Sequence, residues 1–341
     1  MGDLDISASG LGVAPDGLLL LAAALVLEGA WPTRARPAFL NGGLARLFGD
    51  VALRFERRLN RPSRSQSKRL FRGAVVVALV EILAVGLGVA LAVLQAQTPF
   101  VWLAGLVVLV MSIGARGAWE DARTVAAALA RSNGEAQRAA APILGPEAAT
   151  MDGPALARAM VQHIGGRFAL DVVAPAFWFV LLGLPGLLAM LGATAAARAM
   201  PEHAARFEEF GMAAARLRSA LALLPTWLAV ILIAIAATAT PGASPARAFS
   251  VLGSAGARFH AAGTTAAAAA MAAAFNIAVP VLDLARASAP ASQAARWSGN
   301  AETVLRSGAA TDLRRAAYLY RVARLVLLAL VVLLALGKFA L

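Results

Sequence analysis

Asp171 opens an apolar stretch, residues 168–193, that also holds Pro175 and Pro185. A carboxylate at membrane depth costs roughly 2.5–3.5 kcal/mol on insertion scales, so such a residue ordinarily binds or carries something. Asp171 could ligate a cation or carry a proton. At the edge of the stretch it could instead cap a helix or reach water. Two more acids interrupt apolar runs. Glu28 ends the first run and is expected at the interface. Glu81 lies near the middle of residues 73–94, where the plain alternative is a hydrogen-bonded pair with a neighbouring helix. A second group, Glu147, Gln162, Arg167, Arg216 and Arg218, flanks the stretch and could line one polar site. Guanidinium groups there suit a phosphate or a carboxylate. The plain alternative is that these arginines anchor the chain at the membrane surface.

Several chemistries are excluded or disfavoured. The chain has no Cys, so disulfides and thiolate nucleophiles are absent. His163, His203 and His260 have no partners at metal-ligand spacing, so no metal site is expected. No G-x-x-x-x-G-K-[ST] loop offers a nucleotide site. A net charge of +12 comes with only two Tyr, and the basic residues fall between apolar runs, which argues for a membrane rather than nucleic acid.

The elements that must position these residues are membrane helices. Of 341 residues, 60% are apolar and 15% charged, against about 25% charged in an ordinary soluble domain. The mean hydropathy is +0.72. Apolar runs occupy residues 17–31, 73–94, 99–115, 168–193, 220–237 and 325–341, and the Ala-rich residues 261–282 span if packed among other helices. The N-terminus lacks the basic start of a cleaved signal peptide, so the first run is expected to be retained. The basic stretches 32–72, 116–167 and 283–324 are expected in the cytoplasm. Within the second, residues 118–131 and 135–143 read as helices, and Asp152 with Pro154 reads as the start of a third that ends at Gly165-Gly166. Residues 168–193 form either one kinked span or a re-entrant pair of half-helices.

Several stretches resemble the cobalamin-biosynthesis CbiB/CobD family of integral-membrane adenosylcobinamide-phosphate synthases. The likeness rests on Val172-Val173-Ala174-Pro175 with Trp178, on Gly183-Leu184-Pro185-Gly186, and on Phe210-Gly211 with Ala214-Ala215-Arg216-Leu217. Pro37, Pro225 and Ala262-Gly263 extend it. The polar positions depart from the family pattern. Arg36 stands for a His, Glu147 is the acid kept from a Gly-Arg-Asp motif, and Gln162 stands for a Glu. Gly166-Arg167 replaces Glu-Asn, Asp171 falls one place after the motif's Asp, Arg218-Ser219 replaces paired Asp, and Trp227 stands for an Arg.

The resemblance implies one all-α membrane domain over residues 1–341, with five to seven membrane segments, a cytoplasmic helical layer and a re-entrant segment at 168–193. It implies ATP-dependent attachment of an aminopropanol-type arm to adenosylcobyric acid, with MgATP as cofactor if that reaction is retained. The candidate polar site is then Glu147, Gln162, Arg167, Asp171, Arg216, Arg218 and Ser219, with Arg167 and Arg218 turning an acidic cavity basic. Expected partners are membrane lipids, a corrinoid or phosphorylated small molecule, and a membrane partner protein, but no nucleic acid. The expected location is a bacterial-type inner membrane. The alternative is a non-catalytic relative that serves as a membrane scaffold or partner subunit.

Overall fold

The computed structural model describes residues 17–31, 42–60, 65–98, 100–201, 206–255, 266–277, 279–282, 295–298 and 308–340. Arg36, Pro37, His203, His260 and Ala262-Gly263 lie outside the described residues.

Among the described residues the chain is helical apart from one short ladder and the turns that join the helices. The helices in order are α1 (Gly17–Ala30), α2 (Gly43–Leu59), α3 (Gln66–Gln97), α4 (Trp102–Ser112), α5 (Ala115–Leu129), α6 (Asn133–Leu144), α7 (Gly153–Phe168), α8 (Ala174–Ala199), α9 (Met212–Thr238), α10 (Pro245–Ala255) and α11 (Ala266–Ala274). Strands β1 (Val279–Leu282) and β2 (Ala295–Ser298) then pair antiparallel, and α12 (Ala309–Ala340) ends the chain. Among the described residues, five stretches are long and apolar enough to cross a membrane: Gln66–Gln97, Trp102–Leu129, Gly153–Ala199, Met212–Thr238 and Ala309–Lys338. The polytopic reading therefore holds. One buried cluster joins the helices, and much of it is Ala, whose small side chain lets helix backbones approach closely.

The stretch 153–199 does not cross as a single rod. Gly183 adopts φ 66° and ψ −150°, a conformation open essentially to glycine alone. The chain reverses there. A Cβ placed on Gly186 would stand 2.6 Å from the Trp178 carbonyl oxygen, although eight residues of straight helix span about 12 Å. Likewise Asp171 pairs with Arg198, residues that a straight helix would hold about 40 Å apart. Residues 174–182 and 184–199 are thus the two arms of a re-entrant hairpin. The first arm covers about 14 Å, half the ~30 Å hydrocarbon core.

Other boundaries move for identifiable reasons. Residues 32–72 are not simply a loop, because α2 lies within them. Its Phe48, Ala52 and Glu56 recur every four residues and face inward, and α2 packs on α8. Glu56 is buried and takes two hydrogen bonds from Arg206, at 3.1 and 2.7 Å. Arg69 donates to the Arg206 carbonyl at 3.0 Å and pairs with Glu209 at 2.7 Å. These bonds tie the segment after the hairpin to α2 and α3.

The helices around residues 118–131 and 135–143 appear as α5 and α6, with the Ser132 hydroxyl accepting from Glu135 N–H at 3.2 Å. Asp152 caps α7 by accepting from Ala155 N–H at 2.8 Å, and Pro154 fills the first turn. Gly165-Gly166 does not end that helix. Gly165 instead gives α11 room, since a Cβ on it would lie 2.7 Å from Ala268 Cα.

Nor do the described residues of 261–282 form a span. Their helix is only nine residues long, about 14 Å. Ser244 N–H donates to Ala274 O at 2.8 Å, so α10 and α11 start and end side by side. The last span begins earlier than residue 325, with Arg314, Arg315, Arg321 and Arg324 on the first half of α12.

Candidate functional site

Asp171 lies where α7 passes into the hairpin. The turn Ala169–Val173 is π-helical, a widened turn that commonly marks a functional position. The Asp171 carbonyl accepts from Gly114 N–H at 2.9 Å, joining the turn to the break between α4 and α5. Its carboxylate is buried and doubly engaged. Oδ2 accepts from Arg167 Nε at 2.7 Å, and Oδ1 accepts from Arg198 Nη2 at 2.5 Å. Arg167 also stands 3.5 Å from Asp121 on α5. Asp171 therefore does not cap an α-helix, and its carboxylate is largely buried beneath two guanidiniums.

A cavity of about 340 Å³ opens beside this cluster, with Glu28, Asp121, Arg167, Asp171, Thr194 and Arg198 supplying its polar lining. Three carboxylates face two guanidiniums there, so the lining is mixed rather than basic. Thr194 Oγ1 is buried and makes no hydrogen bond among the described residues. Glu28, expected at the interface from the sequence, is fully buried within the protein. It accepts from the Arg116 backbone N–H at 2.7 Å and lies 3.5 Å from Arg324. A carboxylate at the first turn of α5 suits the positive end of that helix.

A second cavity, of about 400 Å³, shares Arg167 and Leu170 with the first. Glu147, Gln162 and His163 line it, and His163 Nε2 is buried without a partner among the described residues. Of the seven residues singled out in the sequence, Arg167 and Asp171 thus meet at the first cavity. Glu147 and Gln162 line the second. Arg216, Arg218 and Ser219 occupy the first turns of α9 and line neither. Glu81 lies beside Gly192 on the returning arm, and its buried Oε1 has no hydrogen-bond partner among the described residues, so the expected interhelical pair is absent there.

Arg198, Asp121 and Thr194 were not singled out. Asp121 reads in the sequence only as a helix-favouring acid. Arg198 carried a usable signal: it and Asp171 stand at similar distances along the chain from Gly183, where a re-entrant hairpin would turn.

The family described as "CobD/Cbib protein" matches residues 37–280. The chain belongs to the CobD/Cbib family. The match runs through both hairpin arms and includes Asp121, Arg167, Asp171 and Arg198, while Glu28 and Arg324 lie outside it. This CobD/Cbib member is 32% identical over 239 residues to "Cobalamin biosynthesis protein CobD" of Sinorhizobium sp, covering 67% of this chain and 72% of that protein. It is 31% identical over 202 residues to the protein of the same description from Rhizobium meliloti (strain 1021), covering 59% and 62%. No solved structure matches the chain.

Proposed function

We propose that the chain works in cobalamin biosynthesis at a membrane, with the cavity at the base of the hairpin as its substrate site. The observation that carries this reading is that the family match spans the elements enclosing that cavity apart from α1. The finer reading is ATP-dependent amide attachment of an aminopropanol-type arm to adenosylcobyric acid. The mixed lining favours it. Arg198, whose side chain is half exposed, can hold a carboxylate. Asp121, about one-third exposed, offers oxygens to the ammonium of an amine. A cavity of about 340 Å³ suits a small amine, with the larger corrin at its mouth. The proposed setting is the inner membrane of a bacterium, with basic stretches in the cytoplasm.

The donor set does not fit MgATP. Mg²⁺ demands near-octahedral oxygen coordination at about 2.0–2.1 Å, typically from one or two carboxylates with phosphates and water. Both Asp171 oxygens are engaged by arginine, and Glu28 is engaged by Arg116. Among the described residues no three of His, Asp or Glu converge on a point that could hold a metal. That observation favours a second reading, a non-catalytic relative that serves the pathway as a membrane scaffold or partner subunit.

Complementation separates the two readings. The chain is expressed in a strain lacking the amide ligase and supplied with adenosylcobyric acid. Cobalamin-dependent growth establishes catalysis and removes the scaffold reading. No growth, with the protein shown to be folded in the membrane, removes the catalytic one.

A further inference from the structure

A different part of the molecule gathers like charge without matching acid. Trp119, on the second turn of α5, is approached by three guanidiniums. Arg116, Arg123 and Arg321 lie 5.6, 4.7 and 5.1 Å from its ring centroid. Arg116, Arg321 and Arg324 also line a small pocket with Trp119, Tyr320 and Gly29. Two carboxylates face this group. Glu120 pairs with Arg116 at 2.7 Å, and Glu28 lies 3.5 Å from Arg324. The Arg116 guanidinium further donates to the Gly29 carbonyl. Arg123 and Arg321 have no carboxylate partner among the described residues and rest only on the indole. Among the described residues, four cations against two anions leave the cluster short of negative charge.

Position narrows what could supply that charge. The apolar run of α12 begins at Leu325, directly after Arg324, and apolar α4 ends just before Arg116. The cluster thus sits at the rim of the apolar layer, where Trp and Arg meet headgroups. Leu325 on α12 and Val26 and Leu27 on α1 are exposed nearby and offer an apolar track for an acyl chain.

We propose that Arg116, Arg321, Arg324 and Trp119 form a binding site for a phosphate group, separate from the hairpin-base cavity. Arg321 supplies the uncommitted fork, Arg116 and Arg324 supply pre-positioned charge, and Arg123 adds to the field. The phosphate is carried by an anionic membrane lipid or by a soluble phosphate compound; the oxygen chemistry met by the guanidiniums is the same.

The test uses the full chain, delipidated in a neutral detergent. Two arms are run: dioleoylphosphatidylglycerol against dioleoylphosphatidylcholine, and inorganic phosphate against chloride at equal ionic strength. Native mass spectrometry reads bound lipid, and the thermal midpoint reads both arms. Selective retention of the phosphatidylglycerol, with a raised midpoint, assigns the site to lipid. A raised midpoint with phosphate but not with lipid assigns it to a soluble compound. In either case Arg123→Gln/Arg321→Gln should weaken binding about tenfold or more. Because both arginines are exposed, the ligand-free midpoint of the variant should match the parent. Arg131→Gln/Arg138→Gln, on exposed parts of the same helical layer, should bind as the parent does. The proposal is overturned if neither probe shifts the midpoint, or if the Arg123/Arg321 variant binds like the parent.

Discussion

Asp171 is held by two arginines that differ in exposure, and that difference predicts an order of effects. Arg167 is about one-third exposed, Arg198 half, while Asp171 is buried. Removing one partner of a buried pair leaves an uncompensated charge and costs about 3–5 kcal/mol. A solvent-screened partner is worth about 0–1 kcal/mol. Arg167→Leu should therefore destabilise the protein far more than Arg198→Leu, and Arg167→Leu/Asp171→Leu should recover most of the loss. Unfolding in mixed micelles measures all three; equal costs for the two single variants would show that Asp171 is not anchored as described. Glu81 predicts the opposite sign. Its buried Oε1 has no hydrogen bond among the described residues, and an unsatisfied buried polar group costs about 1–3 kcal/mol. Glu81→Leu should raise the unfolding midpoint, and a drop would mean that Glu81 has a bonded partner. The presence of Asp171 and Glu81 in apolar runs was legible in the sequence, whereas their partners were not. Pairing depends on which helix faces come together, and Arg198 is remote from Asp171 until the chain turns.

At the scale of elements, the hairpin depends on a backbone that only glycine tolerates well. Gly183→Ala places a Cβ at φ 66° and ψ −150°, a cost of roughly 1–3 kcal/mol. The same change at Gly253, which sits on α10 with open space around it, should cost no more than about 1 kcal/mol and can stabilise the helix. Comparing the two unfolding midpoints tests the reversal, and an equal response would count against it. The Gly-Leu-Pro-Gly stretch made a broken segment legible, yet a kink and a reversal have the same local signature. What decides between them is the packing of the returning arm on α2 and α3, which no local pattern reports. Gly165 failed as a stop signal for a related reason: its missing side chain makes room for α11, a tertiary demand rather than a local one.

At the scale of the whole molecule, the hairpin controls the membrane path of everything after it. If residues 153–199 crossed once, the segment following Ala199 would lie on the far side from α5 and α6. As a re-entrant hairpin, it returns that segment to the side it left, which the Asp171–Arg198 pair requires. The absence of cysteine makes this directly measurable, because single cysteines can be introduced into an unreactive background. Thr98→Cys, between α3 and α4, should react with a membrane-impermeant maleimide from one side only. Arg131→Cys, after α5, and Glu208→Cys, after the hairpin, should both react from the other. All three positions are exposed, so a missing reaction reports sidedness rather than burial. If Glu208→Cys reacted together with Thr98→Cys, the hairpin would have to open. Asp171 and Arg198 would then separate to opposite faces, and the cavity proposed for the substrate could not form.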